Sequence, residues 1–176
     1  VTGDRIRFVA WNHPNMPWND TDLMECSFDP DHGTTGTPRA VASGASFMQP
    51  DGDVVISDRD GVWNLWRVDD TGEHPVSTGT DEVGGPAWIF GLRDHVELAD
   101  GRRVWSTGGR LVVDGAAIDT GAAALEQLAA GDGTVTAIVR WADRTSTITR
   151  FDVATGESVD VVAAPDTPVR AGDVSA

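Results

Sequence analysis

The residues best suited to chemistry are few, and they do not form a catalytic group. In many hydrolases a serine nucleophile stands on a Gly-x-Ser-x-Gly turn, with Asp and His following later in the chain. This sequence lacks that pentapeptide, and its nearest approximations are Gly44–Met48 and Gly156–Asp160. Both stand in strand-like contexts and not at a strand-to-helix turn. We therefore assign no catalytic residue to this chain.

Metal binding has no better support. None of the four histidines has a histidine four residues away, and Cys26 is the only cysteine. Structural zinc sites need such paired ligands. The run Asp58–Gly61 resembles the start of a calcium loop but lacks the remaining oxygen ligands, and turn-forming aspartates explain it better. We predict no metal and no cofactor, and we expect Cys26 to be a buried structural residue.

Seven tryptophans are the remaining unusual feature. Trp18 lies in a proline-rich loop with His13 and Asn15, and these three residues are candidates to line a substrate cavity. The ordinary alternative for His13 is a backbone hydrogen bond that fixes the loop. For five other tryptophans we predict packing between β-sheets, because indole rings bury a large apolar area: Trp63, Trp66, Trp88, Trp105 and Trp141.

The charge balance excludes several classes of partner. The net charge is −15, from 28 acidic and 13 basic residues, and every basic residue is arginine. Such a surface repels phosphate backbones and anionic lipids, so we expect neither nucleic-acid nor membrane partners. No apolar run approaches the roughly 18 residues of a membrane helix. A single cysteine fits a reducing compartment, and we predict a cytoplasmic protein.

Short alternating runs punctuated by Gly, Asp and Pro predict an all-β chain. The predicted strands lie about 8 to 12 residues apart, and they include Ala87–Phe90 and Val159–Ala163. The one helix-like window is Ala122–Ala130, which is rich in Ala, Leu, Glu and Gln.

An internal repeat specifies the kind of all-β fold. Four predicted strands end in an apolar residue followed by Asp and a turn, at Asp29, Asp69, Asp114 and Asp152. A period of about 40 residues with four strands per repeat is typical of β-propeller blades. The sequence therefore predicts a β-propeller fragment of about four blades, each a four-stranded antiparallel sheet. By the same alignment, Leu125–Ala129 is a strand despite its helix propensity.

The predicted domain has the following bounds. The partial propeller spans residues 1–164, with blades at about 1–43, 44–84, 85–121 and 122–164, and residues 165–176 form a linker.

Three segments resemble the propeller of the prolyl oligopeptidase family of serine peptidases, most closely its acylaminoacyl-peptidase and dipeptidyl-aminopeptidase branch. They are Ala10–Trp18, Ile56–Asp69 and Gly84–Gly91, and the blade-ending turn Arg150–Gly156 supports them. In that family a propeller precedes an α/β-hydrolase domain. The resemblance implies that this chain is the C-terminal half of such a propeller, with residues 165–176 leading to a hydrolase domain that the sequence does not include.

The resemblance also implies a function. The expected role is non-catalytic: the propeller gates the access of short peptide substrates to the hydrolase domain of the same polypeptide. Some dipeptidyl members bind the free amine of their substrate with propeller carboxylates, which makes Glu82 a further cavity candidate, although no motif supports it. The alternative is a stand-alone propeller-like module that binds a protein or small ligand. Open blade edges also predict self-association.

Overall fold

The computed structural model describes residues 4–34 and 36–162, and throughout this part of the chain the regular elements are β-strands. They form four antiparallel sheets, and no α-helix occurs among the described residues. The prediction of an all-β chain of four blade-like sheets is therefore confirmed. Residues 163–176, with the end of the predicted strand Val159–Ala163 and the predicted linker, lie outside the described residues.

The described residues form sixteen strands, which are joined mostly by short turns but by longer loops at residues 11–20 and 76–94. In the first sheet they are β1 (Arg5–Ala10), β2 (Thr21–Asp29), β3 (Gly33–Thr34) and β4 (Arg39–Ala45). In the second sheet they are β5 (Phe47–Asp51), β6 (Val54–Ser57), β7 (Asn64–Asp69) and β8 (Gly72–Pro75). In the third sheet they are β9 (His95–Glu97), β10 (Arg103–Thr107), β11 (Arg110–Val113) and β12 (Ala116–Asp119). In the fourth sheet they are β13 (Ala124–Ala130), β14 (Thr134–Arg140), β15 (Thr147–Asp152) and β16 (Ser158–Val162).

The last three sheets have their strands in chain order, whereas the first is different. In the first sheet β2 pairs with β1 along one edge, and both β3 and β4 pair with its other edge. Among the described residues, the first sheet therefore has three strand positions and the others have four. The strand β13 confirms the prediction for Leu125–Ala129, because cross-strand pairing with β14 outweighs the weak helix propensity of that run.

The chain divides into two compact units at Gly91 and Leu92. In the first unit the apolar faces of the first and second sheets meet in a core of Leu23, Ala42, Phe47, Val55 and Val68. Phe47 is fully buried, and burial of such a side chain contributes about 1.5–3 kcal/mol. In the second unit the third and fourth sheets bury a larger set, which includes Val104, Leu111, Leu128, Val135 and Phe151.

A buried ion cluster also joins the two sheets of the first unit. The Glu25 carboxylate accepts hydrogen bonds from Arg7 at 3.0 Å and from Arg39 at 2.9 Å. Arg7 also donates to the carbonyl of Val68 in the second sheet at 2.6 Å. Burial raises the pKa of Glu25, but the Arg7 hydrogen bond and the charges of Arg7, Arg5 and Arg39 outweigh it, so the pKa lies below its ordinary value. The cluster thus keeps the buried Glu25 carboxylate ionised.

Three of the four repeated aspartates cap their own turns. We call Asp29, Asp69 and Asp152 the turn aspartates, because each accepts hydrogen bonds from backbone N–H groups two or three residues ahead. The backbone bonds at Asp29 and Asp152, and at Asp69 the Thr71 hydroxyl followed by the Thr71 N–H, favour the ionised form and hold the pKa of each carboxyl below its ordinary value. Asp114 differs: its φ is +46°, and its side chain accepts from the Arg103 N–H on the neighbouring strand.

The prediction of a strand at Ala87–Phe90 is wrong. These residues form an irregular loop, and Trp88, Ile89 and Phe90 are exposed by 73%, 62% and 90%. The alternation of apolar residues resembles a strand, but no neighbouring strand pairs with it in the described structure.

Candidate functional site

The loop between β1 and β2 carries three of the predicted cavity residues, His13, Asn15 and Trp18. Two successive turns shape it: the Asn15 N–H donates to the Asn12 carbonyl at 2.9 Å, and the Asn19 N–H donates to the Met16 carbonyl at 3.0 Å. The His13–Pro14 peptide bond is cis. His13 is exposed, whereas Asn15 and Trp18 are half-buried.

Trp18 contacts a residue that the sequence did not place in the site. Its ring centroid lies 4.3 Å from that of Trp88, and the two ring planes are inclined at 50°. Trp88 belongs to the loop that follows the second sheet. The prediction that Trp88 packs between sheets is therefore wrong, because nearly three quarters of its surface is exposed. Tilted indole pairs of this kind are favourable contacts. This pair joins Ala10–Trp18 and Gly84–Gly91, two of the segments that carry the family resemblance.

Asn64, the first residue of β7, anchors the segment that leads to Trp88. Asn64 is 1% exposed. Its side-chain oxygen accepts from the Ser77 hydroxyl at 3.0 Å and from the Gly79 N–H at 3.3 Å, and its side-chain nitrogen donates to the Gly79 carbonyl at 3.0 Å. A little further on, the Val83 N–H donates to the Trp63 carbonyl at 2.8 Å. These bonds hold the segment 77–83 against β7.

Glu82, the fourth residue predicted to line a substrate cavity, lies on that anchored segment. It is exposed, and it stands next to Val83, which is 1% exposed. The structure brings Trp18 and Trp88 into direct contact and places Glu82 on the segment leading to Trp88. We define the aromatic site as the two loops, residues 11–20 and 84–91, with Trp18 and Trp88 at their contact.

The surroundings of the aromatic site suit binding and not bond cleavage. Met16 and Trp11 add partly exposed apolar surface from the first loop, and Ile89 and Phe90 add it from the second. Large exposed apolar side chains gathered on neighbouring loops are a common mark of an interaction site. Indole faces can take an apolar or aromatic group and can also attract a cation.

No catalytic chemistry is visible at the nearest serine candidate. Ser46 is fully buried, and its hydroxyl has no hydrogen-bond partner among the described residues. A serine needs an adjacent base to act as a nucleophile. Likewise, residues 4–34 and 36–162 contain no group of three His, Cys, Asp or Glu side chains able to hold a metal ion.

The fold and the site define a β-propeller fragment with an exposed aromatic loop pair. No family model matches the chain, and no curated protein matches it. Solved structures do match. A puromycin-hydrolyzing peptidase of Mycobacterium tuberculosis is 28% identical, with a TM-score of 0.77 over 90% of this chain and 27% of its own. A puromycin hydrolase is 25% identical, with a TM-score of 0.84 over 95% of this chain and 28% of its own.

These matches confirm the family resemblance that the motifs indicated. A mutant of the puromycin hydrolase, in complex with PGG, gives a TM-score of 0.83 at 25% identity. The neighbours are prolyl oligopeptidase-family peptidases, and this chain resembles their propeller. The chain spans little more than a quarter of the length of these peptidases. In the described part of the chain, no helix is long and apolar enough to cross a membrane.

Proposed function

We propose that this chain is the propeller part of a serine peptidase of the prolyl oligopeptidase family and that it gates access to a hydrolase domain. The observation that carries the proposal is the structural match, which covers 90–95% of this chain but only 27–28% of the peptidases that hydrolyse puromycin. The absence of a nucleophile motif from the sequence agrees with it. The chemistry then belongs to another domain, and the propeller selects what reaches it.

Two features of the first unit suit a gating role. The aromatic site places an exposed indole pair on loops, where a substrate or a neighbouring domain can reach it. Asn64 anchors the segment that leads to Trp88, and the ion cluster around Glu25 links the two supporting sheets. A site on rigid supports selects by shape without itself supplying a reacting group.

The test compares the chain alone with the longer polypeptide that contains it. We expect the chain alone to hydrolyse neither puromycin nor short peptides, and the longer polypeptide to cleave short peptides much faster than a folded protein. Hydrolysis by the chain alone would refute a non-catalytic role. Equal cleavage of short peptides and folded protein by the longer polypeptide would refute gating.

The role of the aromatic site is tested within the longer polypeptide. Trp88→Ala is expected to change kcat/KM for peptides while leaving the hydrolysis of a small activated ester unchanged. Trp141→Ala, in the second unit, is the control, because its ring is partly buried and its N–H donates to Thr147 at 2.9 Å. If both variants affect peptide cleavage equally, the aromatic site has no selective role.

A second candidate function is a stand-alone binding module for a protein or small ligand. The exposed residues Trp88, Ile89 and Phe90 favour it. In that case the native polypeptide would lack peptidase activity, and Trp88→Ala would abolish binding of the ligand.

A further inference from the structure

The second unit contains a complete contact between an arginine and an indole ring. The Arg144 guanidinium lies 3.9 Å from the centroid of the Trp141 ring and pairs with the Asp160 carboxylate at 3.1 Å. An indole face attracts a cation because the ring quadrupole places negative charge there, and the carboxylate adds an ion pair. An aromatic face, a guanidinium and a carboxylate therefore act together in this contact.

A second contact of the same kind lies within the first unit. The Arg59 guanidinium is 5.8 Å from the centroid of the Phe47 ring. The same guanidinium pairs with the Glu73 carboxylate. An aromatic ring with a carboxylate beside it thus holds an arginine at two places in this chain.

The aromatic site offers the ring and the carboxylates of such a contact. Trp88 touches Trp18 and yet is 73% exposed, so much of its indole surface is open to a ligand. Asp20 is an exposed residue at the end of the first loop, and Asp81 and Glu82 are exposed residues just before the second. The two loops contain no arginine, so neither of them supplies the cation of a complete contact.

The chain on either side of the two loops is acidic as well. Residues 8–38 and residues 68–92 contain five acidic residues each and no arginine or lysine. Such segments attract a cation and repel an anion. Ile89 and Phe90, exposed by 62% and 90%, place an apolar surface next to Trp88. The complementary ligand therefore carries a positive charge beside an apolar group.

We propose that the aromatic site binds a peptide in which a basic side chain stands next to a large apolar side chain. The basic group lies over the indole face of Trp88, and the apolar side chain packs against Ile89 and Phe90. Arginine suits the site better than lysine, because its planar guanidinium stacks on aromatic faces. The inference rests on the proposed gating function, since it names the class of substrate peptide that the site selects.

The experiment records NMR spectra of the isotope-labelled chain during titration with the tetrapeptide Gly-Arg-Phe-Gly, acetylated and amidated at its ends. The indole N–H signals of Trp18 and Trp88 are expected to shift in a saturable way, and that of Trp141 to stay in place. A peptide with citrulline in place of arginine has nearly the same shape and no charge, and it should bind about fivefold more weakly. Trp88→Leu keeps an apolar side chain without an indole face and should weaken binding of the arginine peptide by a similar factor.

Matched variants test the contribution of the carboxylates. The double variant Asp81→Asn with Glu82→Gln is expected to weaken binding of the arginine peptide about threefold. Glu157→Gln removes an exposed carboxylate from the second unit, and it should leave the affinity unchanged. Urea unfolding of each variant shows that the fold is kept.

Several results would overturn the proposal. One is equal binding of the arginine and citrulline peptides, and another is the absence of saturable shifts at Trp18 and Trp88. Equal binding of Gly-Phe amide, which has a terminal ammonium and no basic side chain, would mean that the site recognises a terminal amine instead. A dimer that Trp88→Leu dissociates in light scattering would mean that a second copy occupies the site. These measurements use the chain alone, so their failure leaves the gating test on the longer polypeptide unaffected.

Discussion

Replacing Asn64 with alanine is expected to loosen the segment that leads to the aromatic site. Asn64 is 1% exposed and makes three hydrogen bonds, one with the Ser77 hydroxyl and two with the backbone of Gly79. Alanine removes all three. The Ser77 hydroxyl still accepts from the Leu65 N–H at 2.8 Å, so it loses its acceptor but not its donor.

The cost follows from the burial of each partner. A hydrogen bond contributes a net of about 1 kcal/mol, and a buried group left unpaired costs more. Ser77 is buried, but Gly79 is exposed and recovers part of its bonding from water. We therefore expect a loss of about 2 kcal/mol in the free energy of unfolding. With a typical urea slope of about 2 kcal/mol per molar for a small domain, the midpoint falls by about 1 M.

Urea unfolding followed by tryptophan fluorescence measures this change. Asn19→Ala is the matched control, because Asn19 is exposed and its side chain accepts a single bond from the Met16 N–H at 3.3 Å. It should move the midpoint by less than about 0.3 M, since surface changes stay within about 0.5 kcal/mol. If Asn64→Ala shifts the midpoint no more than Asn19→Ala, the three bonds do not anchor the segment.

The pKa values of the turn aspartates lie below the ordinary 3.8, so their stabilisation is present above that value and is lost as the pH falls through the lowered values. The urea midpoint should drop between about pH 5 and about pH 2, and a variant with asparagine at all three positions should drop less; an equal drop would contradict this origin. Gly109→Ala should lower the free energy of unfolding by about 3 kcal/mol or more, because φ is +75° and a Cβ would overlap the Ala122 carbonyl. The control Gly121→Ala, with φ +67° and open space around the Cβ, should lower it by about 1 kcal/mol. Equal losses for the two variants in urea unfolding would refute the overlap. Thr149→Val should lower the free energy of unfolding by about 1–2 kcal/mol. It should also raise the pKa of Asp160, because the hydrogen bond from the Thr149 hydroxyl is the largest cause of the lowered pKa. An unchanged titration of the Asp160 carboxyl by NMR would exclude that role.

Much of the fold was predictable because it depends on local patterns that repeat. Aspartate at the end of a strand, followed by a tight turn, marked the repeat, and at Asp29, Asp69 and Asp152 the side chain does cap the turn. Asp114 carries the same sequence pattern but bonds the neighbouring strand instead. The pattern specifies a turn, and the partner of the side chain depends on the local backbone angles.

The candidate site was predictable only in part. The proline-rich loop identified Trp18, but its contact with Trp88 spans seventy positions, and no local pattern encodes such a contact. Apolar alternation at Ala87–Phe90 predicted a strand, yet whether such a run pairs depends on the presence of a neighbouring strand.

Charge, strand periodicity and turn residues act locally, so the amino-acid sequence alone identifies an acidic, all-β, repeating chain without a catalytic motif. The three-dimensional structure was needed to show that Asn64 anchors the segment before the aromatic loop and that Trp18 contacts Trp88. Both depend on which strands lie side by side, and contacts between residues distant in the chain fix that arrangement.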